Sequence, residues 1–114
     1  MAATHNRDQK ASFSTYGGWV DLAAPGVNVF STTPNHDFKN ETINGRSKNY
    51  DYGSGTSISS PMVAAAAALH WTSKYGTSNS SIRSRLQSTA DKIPRTGTYW
   101  SAGRVNAANA VAAT

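Results

Sequence analysis

One stretch constrains this chain more than any other. Gly55-Thr56-Ser57-Ile58-Ser59-Ser60-Pro61 runs directly into Met62-Val63-Ala64-Ala65-Ala66-Ala67-Ala68-Leu69. A glycine turn followed by strong helix formers predicts a helix with Ser57 in its first turn and Pro61 where an early turn tolerates proline. The helix is apolar on every side, as expected of one enclosed by other elements rather than lying on a surface. A serine at such a helix start sits among orphan backbone N–H groups and the positive end of the helix dipole, which stabilise negative charge developing nearby. That setting suits acyl transfer with Ser57 as the attacking group. Ser54, Ser59 and Ser60 compete with it, because serines also serve turns and caps for purely structural reasons. Gly55, two residues earlier, permits close backbone approach and favours Ser57.

A serine nucleophile needs a base, and the base an orienting acid. The chain has three histidines, His5, His36 and His70. His70 lies about 20 Å along the helix axis from Ser57 at about 1.5 Å per residue, so it is not the base. His5 falls in a polar opening segment and His36 in the loop-like Asn35-His36-Asp37, and both read as solvated surface residues. An α/β-hydrolase elbow is excluded, because it needs glycine two residues on either side of the serine and position 59 is Ser59.

The segment from Gly55 to Pro61, with the Ala-rich helix after it, resembles the nucleophile segment of subtilisin-like serine proteases, closest to the thermitase-type branch of the S8 peptidases. Ala11-Ser12-Phe13-Ser14-Thr15-Tyr16-Gly17 and Val20-Asp21-Leu22-Ala23-Ala24-Pro25-Gly26 resemble that family's strand, turn and strand before the nucleophile. Residues 79–93, Gly97-Thr98-Tyr99-Trp100 and Gly103-Arg104-Val105-Asn106 resemble its last helices and turn. The resemblance spans nearly the whole chain. It implies an α/β fold, a parallel sheet flanked by helices in three layers, of which residues 1–114 form the C-terminal part of the catalytic domain, incomplete here, with the nucleophile segment at 53–70.

It further implies a serine endopeptidase acting on polypeptide substrates through an acyl-enzyme on Ser57. The family's chain order of Asp, then His, then Ser places both partners in a missing N-terminal part, together with the side-chain donor of the oxyanion hole and much of the specificity pocket. The isolated chain is therefore expected to be inactive. The family is secreted, and Met1 reads as a start added to a truncated frame. No cofactor serves catalysis. Structural calcium occurs in relatives, but Asp21, near a weak cation site in some of them, is one carboxylate against the six to eight oxygens calcium prefers, so no metal is assigned. Ile58, where relatives carry methionine, removes an oxidation-prone thioether beside Ser57 and implies oxidant tolerance. Met62 and Ala65 depart from the family's histidine and glycine at packing positions. The polar stretch 33–51 is longer than in most relatives and lies, by resemblance, on the leaving-group side of the cleft.

Composition fits a piece of something larger. The chain is 114 residues long and 38% hydrophobic, with much of that alanine, so its core is thin. Apolar surface is expected on the nucleophile helix and on the strand near residues 27–30. There is no cysteine, hence no disulfide and no thiolate metal site. No long apolar run indicates a signal peptide or membrane span. Eleven basic and six acidic residues give a net charge of +5, but Lys and Arg are scattered without a dense run or readout motif, which excludes nucleic acid as the expected partner. The triplets Asn40-Glu41-Thr42 and Asn79-Ser80-Ser81 arise by chance in a chain this rich in Asn and Ser.

The coarse reading along the chain is a strand over 11–15, a Gly17-Gly18 turn, and an extended run over 19–23 ended by Pro25-Gly26. A strand over 27–31 and a loop or hairpin over 33–51 follow. The nucleophile helix is ended by Tyr75-Gly76. A second helix, capped from 77–79, carries Ile82, Leu86 and Ala90 on its buried stripe, with Arg83 and Arg85 facing solvent, and a closing helix covers 105–112. The alternative to an enzyme is a non-catalytic remnant or interaction module of the same fold.

Overall fold

The computed structural model describes residues 1–36 and 47–112. Three parallel strands form the central sheet: β1 (Ala2–Thr4) pairs with β2 (Leu22–Pro25), which pairs with β5 (Gly103–Arg104). The register sets Ala3 opposite Ala24 and Leu22 opposite Gly103. An antiparallel hairpin of β3 (Val29–Thr32) and β4 (Tyr50–Gly53) stands apart from it. Three helices complete the described structure: α1 (Thr56–Trp71), α2 (Asn79–Ser88) and α3 (Ala107–Val111). This is the α/β arrangement expected, a parallel sheet flanked by helices.

Strand alternation divides the core in two. On one face Leu22 packs with Ala66 of α1, Leu86 and Ala90 at and beyond the end of α2, and Ala110 of α3. On the other, Ala2 and Ala23 pack with Val20, Ile93 and the fully buried Trp100. Small side chains in the strands let helix and sheet approach closely, which is what the alanine-rich composition provides.

The opening segment differs from expectation. Residues 11–15 form a turn rather than a strand, and the strand lies at 2–4 instead. In that turn Ala11 and Ser14, three positions apart, are buried and fold back onto β1. Ala11 N–H donates to the Ala3 carbonyl at 2.9 Å, and Ala3 N–H donates to Ser14 Oγ at 2.9 Å, so a side chain serves β1's outer edge. The second strand starts later than expected and includes Pro25, and the third begins at Val29, after Asn28 with φ 51°. The expected loop over 33–51 lies partly outside the described residues, and its end forms β4.

Helix α1 ends at Trp71, short of the expected Tyr75. The Thr72 and Ser73 hydroxyls donate to the carbonyls of Leu69 (2.9 Å) and His70 (2.6 Å), competing with helix continuation. Ser78 caps α2 by accepting from Ser81 N–H, as its sequence position implies. Arg83 faces solvent, paired with Asp21 at 2.7 Å. Arg85 does not: its guanidinium turns back on the carbonyls of Ala110 and Asn109 and covers the Tyr75 ring. Leu69 and Trp71 remain 54% and 57% exposed and Phe30 57% exposed, matching the expected apolar surfaces.

Candidate active site

Ser57 is the second residue of α1, solvent-exposed and directly after the turn that joins β4 to the helix. That turn depends on Gly55, whose φ of 145° favours glycine and where an added Cβ would come within 3.2 Å of Ser57 Oγ. The Gly55 carbonyl accepts from Ile58 N–H at 3.0 Å and from Ser59 N–H at 3.3 Å. Ser59 N–H thereby makes the first regular helical bond; of the four orphan donors before it, Gly55 N–H and Ile58 N–H are used, and the N–H groups of Thr56 and Ser57 have no acceptor among the described residues. With them stands the positive end of the helix dipole.

Pro61 lies at the sixth residue of α1, one turn deeper than an N-terminal proline. Lacking an N–H, it cannot bond the carbonyl of Ser57 four residues back, so the ladder is interrupted at the candidate nucleophile itself.

Two of the three competing serines are distinguished by their contacts, while Ser60 is exposed like Ser57. Ser54 Oγ accepts from Asn28 N–H at 2.8 Å. Ser59 is fully buried and its hydroxyl donates toward the carbonyls of Ala24 (2.9 Å) and Pro25 (3.2 Å). Ser59 thus joins the helix start to the end of β2, and Ser54 joins the turn before the helix to the residue preceding β3. Ser57 Oγ has no hydrogen-bonding partner among the described residues and lines a groove of about 640 Å³ between the hairpin and α1. Ile58, Met62 and Ala65 form the helix wall of that groove, and Val29, Ser31 and Gly53 the hairpin wall.

The end of β2 can come so close only because residue 26 is glycine. A Cβ there would lie 2.2 Å from Ser59 Oγ and 2.7 Å from the Gly55 carbonyl, while Gly55 N–H donates to the Gly26 carbonyl at 2.8 Å. The roles of Gly26 and Ser59 were not read from the sequence, where Gly26 looked like an ordinary turn residue. The closeness of Pro25-Gly26 to the helix start is a tertiary fact.

The histidines lie elsewhere. His70 is fully buried on α1, its ring 6.0 Å from that of Tyr75. His5 Nδ1 accepts from Arg7 N–H at 3.2 Å in the turn after β1, and His36 is exposed beyond β3. Among the described residues no three His, Asp or Glu side chains converge as metal ligands, and Asp21 is engaged with Arg83.

Known proteins match this arrangement closely. The subtilase family of S8 peptidases matches residues 1–109. Thermitase of Thermoactinomyces vulgaris is 46% identical over 111 residues, covering 97% of this chain and 35% of that protein. Subtilisin Savinase of Lederbergia lenta is 40% identical over 107 residues, covering 94% of this chain and 35% of that protein. Among solved structures, a protease from Pseudoalteromonas arctica superposes with a TM-score of 0.80 at 33% identity, over 96% of this chain and 34% of that one. The chain thus spans about a third of the length of these relatives, and it belongs to the subtilase family of serine peptidases.

Proposed function

We propose that this chain is the nucleophile-bearing C-terminal part of a subtilisin-like serine endopeptidase. Ser57 Oγ attacks the scissile carbonyl while a histidine takes its proton; that histidine and its orienting aspartate come from the N-terminal part of the protein. The tetrahedral oxyanion accepts from Ser57 N–H, a donor type worth roughly 3 kcal/mol in the transition state when well aimed. Collapse expels the amine, which receives the proton from the histidine, and water then releases the acyl group from Ser57. The reaction calls on no cofactor.

The observation that carries the reading is the pairing of an unengaged, exposed Ser57 hydroxyl with uncommitted N–H groups at the start of α1, beside Ser54 and Ser59 whose hydroxyls are structurally occupied. Membership of the subtilase family supports polypeptides as substrates and an extracellular setting. No helix among the described residues is long and apolar enough to cross a membrane. The N-terminal part is also the natural cover for the apolar groove between α1 and α2, about 390 Å³, lined by Val63, Trp71, Ile82 and Leu86.

The test is active-site labelling with a fluorophosphonate. The chain alone should not label. Joined to the N-terminal part of a thermitase-type domain it should label at Ser57 and hydrolyse peptides, and Ser57→Ala should abolish both. Rapid stoichiometric labelling of the chain alone would overturn the dependence on outside partners. A folded assembly that neither labels nor hydrolyses would favour the non-catalytic remnant.

A further inference from the structure

Two residues beyond Ser57, in the same turn of α1, the Ser59 hydroxyl is fully buried and bonded across to β2 at the Ala24 and Pro25 carbonyls. Such a bond is not required for helix formation: Ser59 N–H already bonds Gly55 within the helix start, and alanine at this position would be the better helix former. What the hydroxyl does is fix the rotation and height of the first helical turn against the sheet.

The other ties between these segments lie on the far side of Ser57. Gly55 N–H bonds the Gly26 carbonyl at 2.8 Å, and Asn28 N–H bonds Ser54 Oγ at 2.8 Å. Ser57 thus stands on a short arc held at both ends, at Ser54-Gly55 before it and at Ser59 after it. Gly26 leaves no slack beneath that arc, since even a methyl group there would meet Ser59 Oγ. Pro61 adds to the need for such a tie, because the helical bond it cannot make is the one that would hold the Ser57 carbonyl.

We infer that Ser59 is a positioning residue for the reaction proposed at Ser57, its buried hydroxyl aiming both Ser57 Oγ and the Ser57 N–H. The inference rests on that proposed function. A nucleophile and an oxyanion donor on one residue are misaimed together if the turn rotates, and small errors of aim are costly. The rest of the groove wall, the hairpin with Met62 and Ala65, stands outside the tied turn, so substrate binding depends on the tie less than the aim of Ser57 does.

The experiment compares Ser59→Ala with wild type in the assembled enzyme, with Arg85→Ala as a control that loosens α3 away from Ser57. Ser59→Ala should lower kcat about tenfold with KM unchanged within about twofold, while Arg85→Ala should leave kcat at the wild-type value despite its loss of stability. Equal kcat in Ser59→Ala and wild type, or an equal fall in both variants, would overturn the inference. An inactive wild-type assembly would instead count against the proposed function. In that event amide NMR of the 114-residue chain decides. Ser59→Ala should shift the Thr56 and Ser57 amide resonances and Arg85→Ala should not; unmoved resonances would overturn the positioning role.

Discussion

The guanidinium of Arg85 lies 3.9 Å from the centroid of the Tyr75 ring while its Nε donates to the Ala110 carbonyl at 3.0 Å. One side chain of α2 thus joins the turn after α1 to the end of α3. The Tyr75 hydroxyl donates to the Ala112 carbonyl, and Arg85 Nη2 donates to the Asn109 carbonyl at 3.1 Å, so the C-terminal carbonyls of α3 are met by a cation and a phenol. Helix α3 has five residues, too few to persist without such contacts.

Arg85→Ala should therefore release α3 and lower stability by about 1–2 kcal/mol, the range for charge-assisted hydrogen bonds lost from a half-buried site. Denaturant unfolding gives the loss, and amide exchange at Ala110 and Val111 should rise well above the global rate. Protection at those amides equal to wild type would show that Ala110 packing alone holds the helix.

Gly26→Ala should cost about 2 kcal/mol or more, because the added methyl meets the Ser59 hydroxyl, the Gly55 carbonyl and, at 2.8 Å, the Ala3 Cβ. Two of these three neighbours stand at the start of α1, so the helix rather than the sheet should yield. Thermal unfolding measures the cost, and amide shifts confined to residues 54–59 would locate the displacement. A variant with wild-type Tm would mean that the strand end and helix start are not in contact in solution.

The elements legible in the sequence are those whose signals are local. Gly55 followed by an alanine run marked the start of α1, and the cap candidates at 77–79 marked that of α2, where Ser78 is the one that caps. Strand β1 escaped because Ala2, Ala3 and Thr4 have no strand signature of their own; they are extended because β2 lies beside them, the Ala11 N–H bonds one flank, and a serine side chain serves the outer edge. Residues 11–15 differ for the converse reason, since Ala11 and Ser14 turn inward three positions apart in a fold-back onto β1 that leaves the segment without a strand partner of its own. Arg85 read as a solvent-facing residue because its partners lie about 25 positions on. The placement of Ser57 in the first turn of α1 was legible from Gly55 and the residues that follow. The structural duties of Ser54 and Ser59, which set them apart from Ser57, depend on β2 and became visible only with the fold.

Trp71 provides a probe of the proposed assembly. It lines two adjoining apolar grooves, with Val63 and Leu86 on one side and Ala64 and Ala68 on the other, yet is 57% exposed. Joining the chain to the N-terminal part should bury it, shifting its fluorescence to shorter wavelength and reducing quenching by iodide. Trp71→Lys should make the isolated chain less prone to aggregate and should prevent assembly, because the cation would lose its water on an apolar face. Assembly of that variant with undiminished affinity would mean that the grooves are not the contact surface.

The acid limb of stability should run through Asp91. The Asn106 amide donates to both its oxygens at 3.1 and 3.2 Å, and the Arg104 guanidinium bonds it as well; Asn106 first and then Arg104 hold the Asp91 carboxyl below the usual aspartate value, against the opposing effect of burial. A carboxyl with a lowered folded pKa stabilises the fold above its unfolded value of about 3.9, and that stabilisation disappears as pH falls through the folded value. The wild-type chain should thus lose stability more steeply than Asp91→Asn on acidification below about pH 4, and the two curves should converge as the folded carboxyl becomes protonated. Parallel stability curves for wild type and Asp91→Asn from pH 5 to 2, measured by urea unfolding at about 0.1 M salt, would show that the ionised form of Asp91 contributes nothing to the fold.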